Sequence, residues 1–583
     1  MKCHFPQLIT IILSCCFRVG LSEFFTAIAE LEKLLQTEEK VVNSLNTYLK
    51  IEEERLQKVK WLSQQYADLY NAANEDVETF LSNPVNAYLL VKRLSADWET
   101  TNRIVDSSES REVIQNITNE VKAFPSKEDL SGAAAALIRL QEIYLLDAAT
   151  LARGQIKGTI PSSNLTAGDC FELGKHAHSQ ADWNRSLLWM EESLQRLKLE
   201  EDLQPLKSAN EADIYEYMAF AHFSVCTLSF PLFIYSEFNV NMKSISTGLR
   251  NEIITELESS PLGSSVKDEA LPHFLEGLGA LSQVIPVYPE HPRAMANLLL
   301  YKSRAKDYEM KKNGNGNKGQ DETTPVKVSK DGLDPATTEA YEKLCRGESL
   351  KTPKEESELY CYYTTNNSSY LLLQPVKVEL LNLKPKIAMY YDVIKDTEAN
   401  ILRKIALPQL TRASVFGGTN GEGNYATYRI SKSTWLQDYQ SRDIPKINQR
   451  VEDITGLGTT FAEPLHVINY GIGGHYAPHF DFAFPNSSVT FLPEQGNRLA
   501  TWIFYLTDVA AGGSTVFPTL GVEVKPVKGS AAFWYNVYED GTVDENTRHA
   551  ACPVLAGSKW VANKWIHEYG NEFNRPCGLS PYM

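Results

Sequence analysis

The sequence predicts a multidomain α + β chain: helices through its N-terminal half, then a C-terminal all-β barrel of the double-stranded β-helix (jelly-roll) kind. Three observations carry that prediction. Between residues 24 and 72 apolar residues, Leu31, Leu34, Leu35, Val41 and Leu45 among them, return at helical and partly heptad spacing in a polar background. From about Leu165 the texture turns to shorter helices with small residues where neighbours approach, as in "CFELGKHAHSQADWNRSLLWMEESLQRL". Beyond residue 335 come short runs such as "PLHVINYGI", "LATWIFYLTDV", "STVFPTL", "SAAFWYNV" and "KWVANKWIHEY", parted by Gly and Pro clusters. That is the pattern of strands in a barrel.

Taken in order, residues 1–22 read as a secretory signal peptide: Lys2, an apolar run from Leu8 to Phe17, then Gly20 and Ser22. The run is too short to span a bilayer, and no later segment is long and apolar enough, so no membrane span is expected. Residues 23–160 form a helical N-terminal region whose long helix either packs within its own domain or pairs two copies as a coiled coil. Self-association is therefore expected here. Residues 161–310 resemble tetratricopeptide repeats, whose stacked helix pairs make a concave face for an extended peptide. Tyr215, Tyr217 and Phe220 would line that face or serve as ordinary core. Residues 224–266 fall where a short turn should join two helices. They are an insertion or translated non-coding sequence, the second being favoured. Residues 311–335, rich in Gly, Asn, Lys and Pro, read as a linker, and the barrel fills 336–583.

The net charge of −16 and pI of about 5.3 argue against a nucleic-acid partner. A secretory route permits disulfides. With the signal removed, Cys170, Cys226, Cys345, Cys361, Cys552 and Cys577 remain. Cys345 with Cys361 and Cys552 with Cys577 are the local pairs, though spacing does not prove connectivity. Sequons at Asn116, Asn164, Asn184, Asn366, Asn367 and Asn486 agree with the same route. The C-terminal "GLSPYM" is no retention signal, so residence in the endoplasmic reticulum would need a partner.

The chemistry concentrates in "GGHYAPHFDF". On a strand, His479 and Asp481 share a face while Phe480 and Phe482 pack the other way. A second histidine would complete the two-His, one-carboxylate triad of non-haem Fe(II) oxygenases. His549 and His567 follow. His549 is preferred because Lys559 stands ten residues beyond it, a cation on the next strand. His475 is expected to face away from His479 and is given no metal role.

At these residues a resemblance becomes specific. "HYAPHFDF", "TRHAACPV" and "GSKWVANKW" are similar to the catalytic domain of the collagen prolyl 4-hydroxylase α-subunit family. Likeness runs through "LTAGDCFELG" and "YEKLCRGE" over nearly the whole chain, residues 224–266 excepted. The resemblance implies Fe(II) on His479, Asp481 and His549, with 2-oxoglutarate as co-substrate and L-ascorbate keeping the iron reduced. It gives Lys559 to the distal carboxylate of 2-oxoglutarate, where many relatives carry Arg. His567 falls on a histidine tied to 2-oxoglutarate binding, and Tyr470 on the wall of that pocket. The implied reaction is hydroxylation of proline at C4 in X-Pro-Gly sequences, yielding succinate and CO₂.

By the same resemblance, residues 161–310 bind Pro-rich peptides as polyproline II helices. Tyr217, Phe220 (where a tyrosine is usual), Arg293 and Asn297 would touch the peptide, and Leu300 replaces another tyrosine. The pairs Cys345–Cys361 and Cys552–Cys577 gain support, and Cys170 is expected free. Protein disulfide isomerase would complete an α₂β₂ tetramer and hold it in the endoplasmic reticulum lumen. Two other readings compete: a hydroxylase of another Pro-rich secreted protein, and a non-catalytic peptide-binding or chaperone subunit. A zinc hydrolase would leave Lys559 without a purpose.

Overall fold

In the computed structural model the described residues are 28–106, 109–156, 159, 162–200, 208–229, 334–413, 428–484 and 495–581. The signal peptide, most of the 224–266 segment, the linker before residue 334, Arg293, Asn297, Leu300 and the sequon at Asn486 lie outside them. The chain divides into two compact units, Ile28–Asp129 and the residues from Leu130 onward.

The first unit is all helix. Helix α1 (Ile28–Glu75) runs 48 residues, and α2 (Val77–Ser82), α3 (Pro84–Lys92), α4 (Trp98–Val105) and α5 (Glu109–Glu120) follow. Asn83 caps α3 through the Val85 amide, with Pro84 in the first turn where its missing N–H costs nothing. Tyr66 of α1 meets Thr101 of α4 at 3.1 Å. Leu35, Leu45, Leu49 and Leu56 of α1 stay exposed. Among the described residues no helix is long and apolar enough to cross a membrane.

In the second unit, α6 (Lys127–Tyr144, entering from Leu130) and α7 (Ala148–Ala152) lead to α8 (Ala167–Ser179), α9 (Trp183–Glu200) and α10 (Glu211–Ser229). A reciprocal cap between Thr166 and Asp169 starts α8. Gly174 lets α8 and α9 approach: a Cβ there would stand 2.8 Å from the Met190 terminal methyl. The expected small-residue contact is thus real. The sequence changes texture near residue 160, but the packing boundary falls at 129/130, because Ile138 of α6 packs with Leu173, Ala177 and Trp189.

The barrel follows α11 (Pro335–Cys345) and α12 (Pro353–Ser357). Its strands are β1 (Cys361–Thr364), β2 (Val376–Asn382), β3 (Ile387–Tyr391), β4 (Thr411–Arg412), β5 (Arg429–Ile430), β6 (Lys432–Leu436), β7 (Leu465–Tyr470) and β8 (His475–His479). They continue with β9 (Arg498–Tyr505), β10 (Ala511–Gly512), β11 (Thr515–Phe517), β12 (Val522–Val524), β13 (Ala531–Tyr535), β14 (His549–Ala551), β15 (Val554–Ala556) and β16 (Lys559–His567). Nine strands pair as β1-β2-β3-β13-β9-β16-β7-β6-β4 and five as β12-β11-β14-β8-β5, with β10 on β15. The larger sheet carries α13 (Asp396–Ala406) and α14 (Asp443–Thr455) on one side through Leu402, Ile444, Ile447 and Val451. Between the sheets lie Ile468, Tyr505, Phe517, Trp534 and Val561. Covered on both faces, β9 and β16 are buried at every position, which is why neither alternates buried apolar with exposed polar residues.

The disulfide differs from the expected pairs. Cys345 is bonded to Cys552, tying the end of α11 to the residue after β14, while Cys361 and Cys577 are free and exposed. Sequence-local pairing failed because the fold brings the two cysteines together across 207 residues. Cys170 is free, and burial pushes its thiol up to about 12.

Candidate active site

Between the sheets a cavity of about 600 Å³ is walled by β7, β9 and β16 on one side and β8 and β14 on the other. His479 at the end of β8 and His549 at the start of β14 are direct cross-strand partners. Asp481 lies just past β8. The three ligating atoms fall within 4.8 Å of one another. His479 Nε2 is 3.9 Å and His549 Nε2 is 3.6 Å from the Asp481 carboxylate. His479 Nδ1 lies 2.9 Å from the Ala477 carbonyl and His549 Nδ1 3.0 Å from the Thr547 carbonyl. A carbonyl only accepts, so each Nδ1 carries the proton and each Nε2 offers its lone pair to the cavity. Burial, reinforced by His549, lowers the His479 imidazole to about 3. Burial would raise Asp481, but the neighbouring histidines and Arg498 outweigh it and hold the carboxyl at about 2. The neutral imidazole of His479 and the ionised carboxylate of Asp481 are in the protonation states that binding a divalent metal requires.

His475 does lie apart from this cluster, for a reason the alternation rule misses. In a regular strand residues four apart share a face. Here Ala551 pairs with Tyr476 while His549 pairs with His479, so β8 holds one extra residue, and Pro478 sits in that bulge. Tyr476 thereby joins His479 on one side, their rings stacked at 3.5 Å. Phe480 and Phe482 do not pack away from the site as expected. With Phe484 they form an aromatic cluster that itself lines the cavity.

A buried chain of hydrogen bonds, not foreseen from the sequence, holds the carboxylate. Thr501 Oγ1 donates to Asp481 Oδ2 at 2.7 Å, Asn536 Nδ2 donates to Thr501 Oγ1 at 2.9 Å, and Trp534 Nε1 donates to Asn536 Oδ1 at 2.9 Å. Because Asn536 fills the acceptor side of the hydroxyl, Thr501 is fixed as a donor to Asp481. The signal that could have found it is a lone threonine in the apolar run "LATWIFY".

Lys559 is 1% exposed and opens β16 directly opposite Tyr470. Its ammonium reaches Thr515 Oγ1 at 3.3 Å and lies over the rings of Tyr470 and Tyr505 at 5.5 and 5.7 Å. Among the described residues no carboxylate forms an ion pair with it, and burial alone lowers it to about 7. Tyr470 also lines the cavity, its phenol raised chiefly by burial.

His567, expected at the co-substrate, does not line the cavity. Its Nδ1 faces the Gly496 carbonyl at 2.9 Å and its Nε2 faces Glu463 Oε1 at 3.0 Å. Glu463 in turn pairs with Arg498, at 2.5 and 3.0 Å. Burial would raise the Glu463 carboxyl, but His567 and Arg498 hold it below its usual range. Arg498 does reach the cavity, packed over Trp565 at 3.8 Å.

On the repeat helices, Tyr217 packs edge-on against Phe171 at 5.5 Å and His178 at 4.8 Å. Phe220 meets His178 at 5.0 Å and Trp183 at 5.5 Å. All five rings are half-buried, a ridge of aromatic faces across α8–α10. Tyr215 packs beside Ala212 and Ala219.

Known proteins match in the same order. Residues 27–158 match the prolyl 4-hydroxylase α-subunit N-terminal region, 167–244 the prolyl 4-hydroxylase peptide-substrate-binding domain, and 465–567 the 2OG-Fe(II) oxygenase superfamily. Prolyl 4-hydroxylase subunit alpha-1 of Homo sapiens is 38% identical over 96% of this chain and 96% of its own length. The chain belongs to the prolyl 4-hydroxylase α-subunit family. The Gallus gallus alpha-1 subunit is 39% identical over 96% of this chain and 99% of its own. Among solved structures, the viral collagen prolyl hydroxylase vCPH from Paramecium Bursaria Chlorella virus-1, in its 2OG complex, covers 31% of this chain and 95% of its own at 25% identity and a TM-score of 0.26. This family member is a 2-oxoglutarate dioxygenase whose cofactors are Fe(II) and 2-oxoglutarate, with ascorbate typical of the family. The residues fit both: two imidazole nitrogens and a carboxylate suit Fe(II), and a buried ammonium without a counter-ion suits a second carboxylate.

Proposed function

We propose that this chain hydroxylates C4 of peptidyl proline in X-Pro-Gly sequences of collagen-like chains. The observation that carries the reading is Lys559, an unmatched buried cation in the same cavity as the His479, Asp481 and His549 cluster. Those three side chains would hold Fe(II) on one face. Lys559 would pair with the distal carboxylate of 2-oxoglutarate, with Tyr470 closing over it. When bound, iron and 2-oxoglutarate supply the oxidising chemistry: one oxygen atom of O₂ goes to proline, the other to succinate, and CO₂ leaves.

The protein's share is placement. Thr501 fixes the Asp481 carboxylate. His567 acts as a positioning residue, holding Glu463 and through it Arg498, which borders the cavity. The ridge of Tyr217, Phe220, His178 and Trp183 would receive neighbouring turns of the polyproline II chain. Exposed leucines on α1 support self-association. The family membership supports protein disulfide isomerase as partner and the endoplasmic reticulum lumen as location.

The test is 2-oxoglutarate decarboxylation by the purified complex with Fe(II), with and without (Pro-Pro-Gly)₁₀, alongside His549→Ala. Peptide-stimulated CO₂ release that the variant abolishes is expected. Release that the peptide does not stimulate overturns the substrate assignment, and no release with iron bound overturns the enzyme.

A further inference from the structure

Helix α6 packs both on the helices that carry the aromatic ridge and on the turns that adjoin the metal-ligand strands. Toward the repeats, Gln141 Oε1 accepts a 2.9 Å hydrogen bond from Trp189 Nε1, both residues buried. Ile138 sits in the same cluster as Leu173 and Ala177 of α8. Toward the barrel, Arg139 Nη1 donates to the Gly473 carbonyl at 3.0 Å, and Tyr144 donates its hydroxyl proton to the Pro553 carbonyl at 2.5 Å. Ile143 packs with Leu344, Val516 and Ala550.

The two carbonyls lie in the turns that begin β8 and end β14, the strands whose other ends carry His479 and His549. The turns are also bonded to each other, Gly473 N to the Val554 carbonyl at 2.8 Å. Gly473 stands at φ +70°, and a Cβ there would come within 2.7 Å of Ala136 Cβ. A glycine is therefore required by both its backbone and the closeness of α6. A half-buried arginine-to-carbonyl bond and a half-buried tyrosine-to-carbonyl bond are more than apolar packing needs. They fix rotation and sliding of the helix against the two turns, which apolar contact alone leaves loose.

We propose that α6 is a strut that sets the register between the aromatic ridge on α8–α10 and the metal-ligand strands, with Arg139 and Tyr144 as its positioning residues. The proposal rests on the peptide-hydroxylase reading above. A polyproline II chain is stiff and repeats every three residues. A groove held at a fixed offset from the cavity therefore presents prolines in phase with the reacting position, and a loose groove does not. Only a peptide long enough to engage both places feels the difference.

The experiment compares (Pro-Pro-Gly)₁₀ with a single Pro-Pro-Gly tripeptide on the full-length assembly, for wild type, Arg139→Met, Tyr144→Phe and the double variant. The expected result is a KM for the long peptide raised roughly tenfold in the double variant, the scale of a small misplacement of a bound substrate. Turnover of the tripeptide is unchanged, and so is the Kd of the long peptide measured without 2-oxoglutarate. Equal losses for both peptides would mean a merely structural contact and overturn the strut, as would no change in either. Tyr144→Phe keeps the ring and removes only the hydroxyl, so it decides the matter if Arg139→Met fails to fold. A wild type that turns over neither peptide would instead sink the peptide-hydroxylase reading itself.

Discussion

In the barrel cavity, His479, Asp481 and His549 are each pinned by a second partner, and Lys559 is buried without a counter-ion. On the repeat helices, Tyr217, Phe220, His178 and Trp183 are half-buried and in ring-to-ring contact. The contrast teaches how one chain divides its labour. The cavity stores electrostatic strain that only specific ligands relieve, so it is selective and intolerant of change. The ridge offers flat apolar area, which is additive and forgiving, and suits a repetitive chain.

The contrast breaks first at the metal. Asp481→Ala removes one of three donors and the acceptor of Thr501. Turnover and bound iron both fall below detection, and a variant that keeps its iron by metal analysis would refute the ligand set. Lys559→Met comes next: the KM for 2-oxoglutarate rises roughly 100-fold, the scale of losing one member of a buried charge pair. The same variant melts at a higher temperature without ligand, because it no longer buries an unpaired ammonium. Calorimetry that finds it less stable would contradict the isolated-cation picture.

Thr501→Val should weaken metal binding by about 10- to 100-fold, as for other groups that orient a ligand, with the fold intact. Competition with a chelator measures it, and unchanged affinity would show the hydroxyl to be a bystander. The pH dependence sharpens the same point. Below about pH 7 the Lys559 ammonium of the ligand-free protein is already charged. Above it, binding a carboxylate must take up a proton, so affinity for 2-oxoglutarate falls by about tenfold per unit until the pKa of the bound state is reached. A flat binding profile from pH 7 to 8.5 would remove Lys559 from the co-substrate. The smallest effect belongs to the ridge. Tyr217→Ala raises the KM for a long peptide only by about three- to tenfold, one ring's share, and leaves 2-oxoglutarate binding alone. A hundredfold loss would make the ridge an anchor site like the cavity.

What the sequence determined by itself is local. The five apolar runs became strands because period and β-branching act over a few residues. That His479, Asp481, His549 and Lys559 would gather in one cavity was legible because the chemistry proposed for them restricts the residue types that can serve it. The TPR-like helix pairing was readable from Gly174 and Ala177, small where helices touch.

Tertiary structure decided what depends on register and long-range approach. Cys345 found Cys552 rather than its neighbour in sequence because α11 packs against β14. His475 left the metal side because a bulge at Pro478 changed the phase of β8. His567 turned to Glu463 and Gly496 rather than the cavity, and Asn536 reached Thr501 from another strand. In each case the partner comes from a distant part of the chain, and no periodicity within a strand encodes which distant atom will stand 3 Å away.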